Sequence, residues 1–181
     1  MLRALVPDVV ASRFDAGLAG WLGELRRVSV VFAKLALPAP EGVALAEVDH
    51  LVADLQRAVY DREGTINKLS VDDKGVVLVA VFGLPPLGHE DDGARAVGAS
   101  IALCAALRQR GLDPRVGVTT GPAYCGTVGS DTRREYTVLG AAVNLAARLM
   151  EKARDGVLCD EATVQTPRHS TTFAALPPVT V

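Results

Sequence analysis

Asn144 and Arg148 stand four residues apart in EYTVLGAAVNLAARLM, residues 135–150, where apolar positions recur at helical spacing. Side chains four apart share one helix face, so an amide and a guanidinium would be delivered together. An Asn can orient a ribose or ring oxygen, and an Arg fork can hold phosphate oxygens whose charge grows during transfer. The pair therefore reads either as a transition-state clamp or as a surface amide beside a structural Arg.

Four further residues could do chemistry, and each has a plainer alternative. Lys68, between Ile66 and Leu69, is either a strand-edge lysine or a point charge reaching a nucleotide. Thr137 can hydrogen-bond a base edge, and it is also a good strand former beside Tyr136 and Val138. Asp72 and Asp73 suggest a divalent cation, since hard cations take carboxylate oxygens. Adjacent strand side chains diverge, so a turn would have to bring one round, and a solvated turn fits the same pair.

Other chemistries are excluded by spacing. The 3 histidines, His50, His89 and His169, show neither HxxxH nor Cys/His spacing, which argues against zinc. No GxxxxGK[ST] loop follows the glycines near Gly121, and no HRD and DFG pair marks a kinase. Cys104, Cys125 and Cys159 are odd in number and widely separated, as in inert thiols of a reducing compartment.

The elements that must position these residues follow from periodicity. Residues 1–25 read as a connector helix, interrupted by Pro7 and Gly17. RVSVVFAKL, residues 27–35, is a buried strand. Val48, Leu51, Val52, Leu55 and Val59 make a stripe on a helix over 45–60. Residues 65–71 and 74–83 form two strands around the Asp72–Asp73 turn. Asp91 or Asp92 caps a helix running to about 110, with Val97, Ile101, Cys104 and Ala105 inward. A strand from 115 leads into tight turns at Gly121, Gly126 and Gly129. A helix over 141–152, a short strand over 156–162 and a strand in the tail TTFAALPPVTV complete an α+β order.

Composition bounds the partners. With 181 residues and 49% hydrophobic composition, the chain can bury one sizeable core. The net charge of −2 gives no general attraction to nucleic acid, so phosphate chemistry must be local. No 18-residue apolar stretch predicts a membrane span, and no secretory pattern opens the chain; a cytoplasmic setting is the expectation.

RRVSVVFAKL, GTINKLSVDDKGVVLVAVFG, RVGVTTGPAYCGTVGS and EYTVLGAAVNLAARLM, in this order over about residues 26–162, resemble the class III nucleotidyl cyclase catalytic domain. More narrowly, they resemble the second catalytic half of soluble, bicarbonate-responsive adenylyl cyclases. The resemblance implies a ferredoxin-like α+β domain over 26–181, with a central, mostly antiparallel sheet and packed helices, preceded by a 1–25 connector. It also implies that two such domains pair head to tail and share active sites.

By the same resemblance, Lys68 and Thr137 match the adenine-recognising positions, Asn144 the ribose-orienting Asn and Arg148 the transition-state Arg. Thr137 stands where many membrane adenylyl cyclases have Asp, and the four together imply ATP as substrate. Where a metal-bearing half has an Asp at the end of its opening strand, in a pattern like FADI, this chain has FAKL and Lys34. Neither Asp72 nor Asp73 transfers cleanly onto the second metal Asp. A lysine has no lone pair to give a cation, so Lys34 either pairs with an acid or occupies a regulatory pocket. The resemblance thus implies that Mg²⁺ or Mn²⁺ enters through a complementary half, located upstream in the same polypeptide, and that the isolated domain is weak or inactive, with a homodimer as its other pairing.

Overall fold

The computed structural model describes residues 23–35, 45–72, 75–130, 132–168 and 170–178. Most of the connector expected over 1–25 lies outside them, as do Asp73 and Lys74 of the β2–β3 turn.

Six strands make one sheet: β1 (Glu24–Leu35), β2 (Thr65–Asp72), β3 (Gly75–Phe82), β4 (Arg115–Gly129), β5 (Arg134–Leu139) and β6 (Gly156–Cys159). Their order is β2-β3-β1-β4-β5, with β6 pairing β4 off this path. Every pairing is antiparallel except β4 with β6. The helices are α1 (Leu45–Tyr60), α2 (Asp92–Arg108), α3 (Ala141–Lys152) and the short α4 (Glu161–Val164).

The unbroken apolar run of β1 has a physical reason. Val31, Ala33 and Leu35 join a cluster built with α1 and α2, while Val28 and Val30 join a second cluster built with α3. A strand covered on both faces carries no alternating polar residues. Ser29 and Lys34 are the polar residues of this run, and the buried Ser29 hydroxyl is satisfied by Thr120 Oγ1 at 2.8 Å.

α1 forms over the expected residues, burying Leu51, Leu55, Ala58 and Val59. α2 differs from expectation on two counts. Its buried side includes Ala96, Val97, Ser100, Leu103, Cys104 and Leu107, whereas Ile101 is 45% exposed and Ala105 is exposed. Alanine-rich turns supply too weak an apolar contrast for the stripe to be read by inspection. Asp91 holds the cap position without capping, because its carboxylate accepts from Arg95 Nε at 2.9 Å. That ion pair holds the Asp91 carboxyl below its ordinary range.

The expected turns at Gly121 and Gly126 are absent: both glycines lie inside β4, a single 15-residue strand. Gly129, with φ +136°, turns the chain toward β5, and a Cβ there would meet Arg133 O at 2.1 Å. β5 itself is an element that helical reading of residues 135–150 passes over; Arg134–Leu139 pair with β4 before α3 begins. The strand expected over 156–162 ends at Cys159, and Asp160 then caps α4 by accepting from Thr163 N at 3.0 Å. The tail is not a strand over residues 170–178. No helix among the described residues is long and apolar enough to cross a membrane.

Candidate functional site

α3 carries Asn144 and Arg148, and its seat on the sheet sets where they stand. Gly117 of β4 lets the helix approach to backbone contact, since a Cβ there would lie 2.1 Å from Ala146 O and 2.5 Å from Met150 N. Two residues on, the buried Thr119 hydroxyl donates to Ala142 O at 2.7 Å. A hydroxyl bond to the first turn and a bare glycine under the third hold the helix close to β4. Ala142, Ala146 and Met150 are buried, leaving Asn144 and Arg148 exposed one turn apart.

Lys68 owes its placement to a break in β2. Ile66 pairs with Ala80 and Lys68 with Val79, so Asn67 is an extra residue, a β-bulge. Ala80 belongs to the α1/α2 cluster and Val79 to the α3 cluster. Strict alternation would put Lys68 on the same face as Ile66, in an apolar core. The extra residue moves it to the α3 face, where it is exposed.

Thr137, on β5, pairs with Gly126 of β4 and is half-buried. Its neighbours Tyr136 and Val138 pack in the α3 cluster, so by alternation Thr137 turns away from it. β2 and β5 are the outer strands of the main path, yet they touch. Asn67 Nδ2 donates to Tyr136 O at 3.2 Å, and each of the bonded residues directly precedes one of the candidate base-recognising residues.

Of the four candidate side chains, Lys68 stands on the α3 face, Thr137 turns away from the α3 cluster, and Asn144 and Arg148 lie on the exposed side of α3. Val79 is the cross-strand partner of Lys68, Tyr136 and Val138 flank Thr137, and Val143 and Ala146 are near neighbours of Asn144 and Arg148 in the chain. The structure brings Lys68 and Thr137 to a common seam at the backbone level and keeps Asn144 with Arg148 on a neighbouring helix.

Lys34 lies at the end of β1, paired with Val77 on one side and Arg115 on the other. Its Cε comes within 3.8 Å of where a Cβ on Gly75 would stand, which sets it beside the β2–β3 turn. Asp72 is placed by its backbone opposite Gly75. An ammonium therefore stands beside the turn, and it supplies no ligand to a divalent cation. Among the described residues, no three His, Cys, Asp or Glu gather as a metal-binding group.

An open cavity of about 580 Å³ beyond the end of α3 is lined by Asp113, Arg115, Glu151, Lys152, Ala153, Arg154 and Asp155, an even mixture of charges. Burial pushes the Cys104 thiol up to about 11 and also raises that of Cys159, the reverse of what an activated nucleophile needs.

Sequence reading missed Asn67, Gly117 and Thr119. The signal for the bulge was present: Ile66 and Leu69 pair with Ala80 and Leu78 of the same core although three residues apart, a spacing no regular strand produces. For Gly117, the hint was a glycine inside an otherwise β-rich run.

Residues 64–173 match the adenylate and guanylate cyclase catalytic domain. The chain is 31% identical over 168 residues to mouse adenylate cyclase type 10 and 32% identical over 171 residues to the human protein, matching 90% of this chain in both cases. It spans 10% of the length of each of these relatives. It is also 36% identical over 141 residues to an uncharacterized Mycobacterium tuberculosis protein, covering 73% of this chain and 24% of that one.

Among solved structures, a bacterial light-regulated adenylyl cyclase superposes with a TM-score of 0.80 at 21% identity, over 99% of this chain and 56% of that one. The adenylyl cyclase CyaB from P. aeruginosa gives 0.66 at 25% identity, over 80% of this chain and 81% of that one. The chain belongs to the adenylate and guanylate cyclase catalytic domain family.

Proposed function

We propose that this domain is one half of an adenylyl cyclase pair, and that it contributes the base, ribose and transition-state contacts to a site shared with a complementary, metal-bearing half. The observation that carries this reading is Lys34 beside the β2–β3 turn, with Lys68 and Thr137 on strands tied at one seam and Asn144 and Arg148 exposed together on α3. Similarity to adenylate cyclase type 10 supports ATP as the substrate and cyclic AMP and pyrophosphate as products.

In this reading Lys68 and Thr137 hold the adenine edge, and Asn144 aligns the ribose so that its 3′-oxygen faces the α-phosphorus. A bond forms between those atoms as the bond to the pyrophosphate oxygen breaks, with net release of the hydroxyl proton. Arg148 stabilises charge growing on the phosphate oxygens, an interaction strongest in the transition state. Carboxylates for Mg²⁺ or Mn²⁺, which would neutralise phosphate charge, come from the other half.

The test is turnover of the purified domain with ATP and Mg²⁺ or Mn²⁺, alone and with a complementary half. Little activity alone and activity on mixing are expected; vigorous metal-dependent turnover by a strict homodimer sinks the division of labour. Lys34 also favours a second reading, a noncatalytic cyclase-like domain that binds nucleotide or regulates a partner by dimerisation. Binding of nonhydrolysable ATP without any turnover in the mixed complex would select it.

A further inference from the structure

Asn67 does two things at once. As the extra residue of the bulge it moves Lys68 off the core face, and through its amide it ties β2 to β5. The carbonyl it reaches belongs to the peptide unit joining Tyr136 to Thr137, so the bond fixes the plane from which Thr137 departs. Lys68 follows Asn67 directly. A partly buried side chain therefore ties the two positions together between strands that form no backbone ladder.

We propose that Asn67 is a positioning residue that sets purine selection at the shared site, an inference resting on the functional reading above. Adenine presents an acceptor at N1 and a donor at its 6-position, and guanine presents the opposite pair. Discrimination therefore depends on where donor and acceptor stand on the protein side. A displacement of about 1 Å is enough to degrade such a match by one to two orders of magnitude. Asn67 contributes no contact to the purine itself; it holds the lips of the seam at the separation that one base edge fits.

The experiment measures dissociation constants of nonhydrolysable ATP and GTP analogues, and kcat/KM for ATP, in the two-half complex. Parent, Asn67→Asp, Asn67→Ala and Asn67→Gln are compared. Asn67→Asp replaces the donor by an acceptor facing a carbonyl oxygen, and should lower the ATP-over-GTP binding ratio by about tenfold or more. Asn67→Gln keeps an amide donor and should recover most of the preference. Melting temperature is followed alongside, because loss of folding lowers both affinities together and leaves their ratio unchanged. An unchanged ratio in folded Asn67→Asp and Asn67→Ala overturns the inference. Should Asn67→Asp fail to fold, the ratios of Asn67→Ala and Asn67→Gln decide alone: a loss in the first and recovery in the second supports the inference, and equal ratios overturn it. Arg148→Ala, run in parallel, separates the two levels: if it leaves turnover intact, the functional reading falls, whereas its loss of turnover with an unaltered Asn67 ratio removes this inference only. A complex that binds neither analogue removes both.

Discussion

The two faces of the sheet share their strands and differ in what they are for. On the α1/α2 face, Leu51, Leu55, Leu78, Phe82, Leu103 and Leu107 fill the space between helices and strands. On the α3 face the strands contribute Val28, Val30, Val77, Val79 and Val81, and the helix contributes Ala146 and Met150. Large side chains hold a helix away from a sheet, while valine, alanine and a bare glycine let it settle to backbone contact at Gly117. The first face is a reservoir of stability; the second seats α3, the helix that carries Asn144 and Arg148, and receives Lys68.

That contrast predicts that damage to one face should appear as unfolding and damage to the other as lost function. The largest effect is expected at Arg148. Arg148→Ala should lower kcat of the two-half complex about 10²–10³-fold, as removal of a transition-state donor does elsewhere, with an unchanged melting temperature because the side chain is exposed. Stopped turnover assays and calorimetry on the same preparation check both halves of the statement. Leu103→Ala, at a fully buried α2 position, should do the converse. A loss of about 2–5 kcal/mol in urea unfolding is expected, with kcat per folded molecule preserved.

Alkaline titration sharpens the stability side. Cys104 is 2% exposed and its folded thiol titrates near 11, above its ordinary 9.0. Its raised value adds stability that is complete below the unfolded pKa and is lost as pH rises through about 9 to 11. Two pH units are worth at most ~3 kcal/mol. Urea midpoints at pH 8 and pH 10.5 should therefore converge more closely in Cys104→Ala than in the parent; identical alkaline slopes would contradict the assignment.

Gly117→Ala should cost about 1–3 kcal/mol of stability from overpacking. Its added methyl would press on Ala146 O and Met150 N and lift α3, so kcat should fall further than the folded fraction does. A variant that loses both in proportion would deny α3 its special seating.

Much of this architecture was legible before any coordinates. Helix α1, helix α3 and the β2–β3 pair follow from strong local periodicity and turn residues, which need no tertiary context. β4 was not, because its glycines carry the turn signature while serving close packing, and Gly117 matters only once α3 lies on it. The inward side of α2 was blurred by its alanines, and Ile101 shows that apolar character alone does not choose a face.

The same division runs through the site. Sequence by itself determined which side chains could do the chemistry: the Asn144–Arg148 pair is local to one helix, and Lys34 in FAKL is a substitution readable as text. Only the tertiary structure decided how they assemble. Lys68 reaches the α3 face because one extra residue inverts the alternation of β2, and it meets the Thr137 strand because the sheet brings its outer strands within reach of the Asn67 amide. That bond joins residues 69 apart in the chain, and no local pattern encodes a distance that arises only once the whole sheet has assembled.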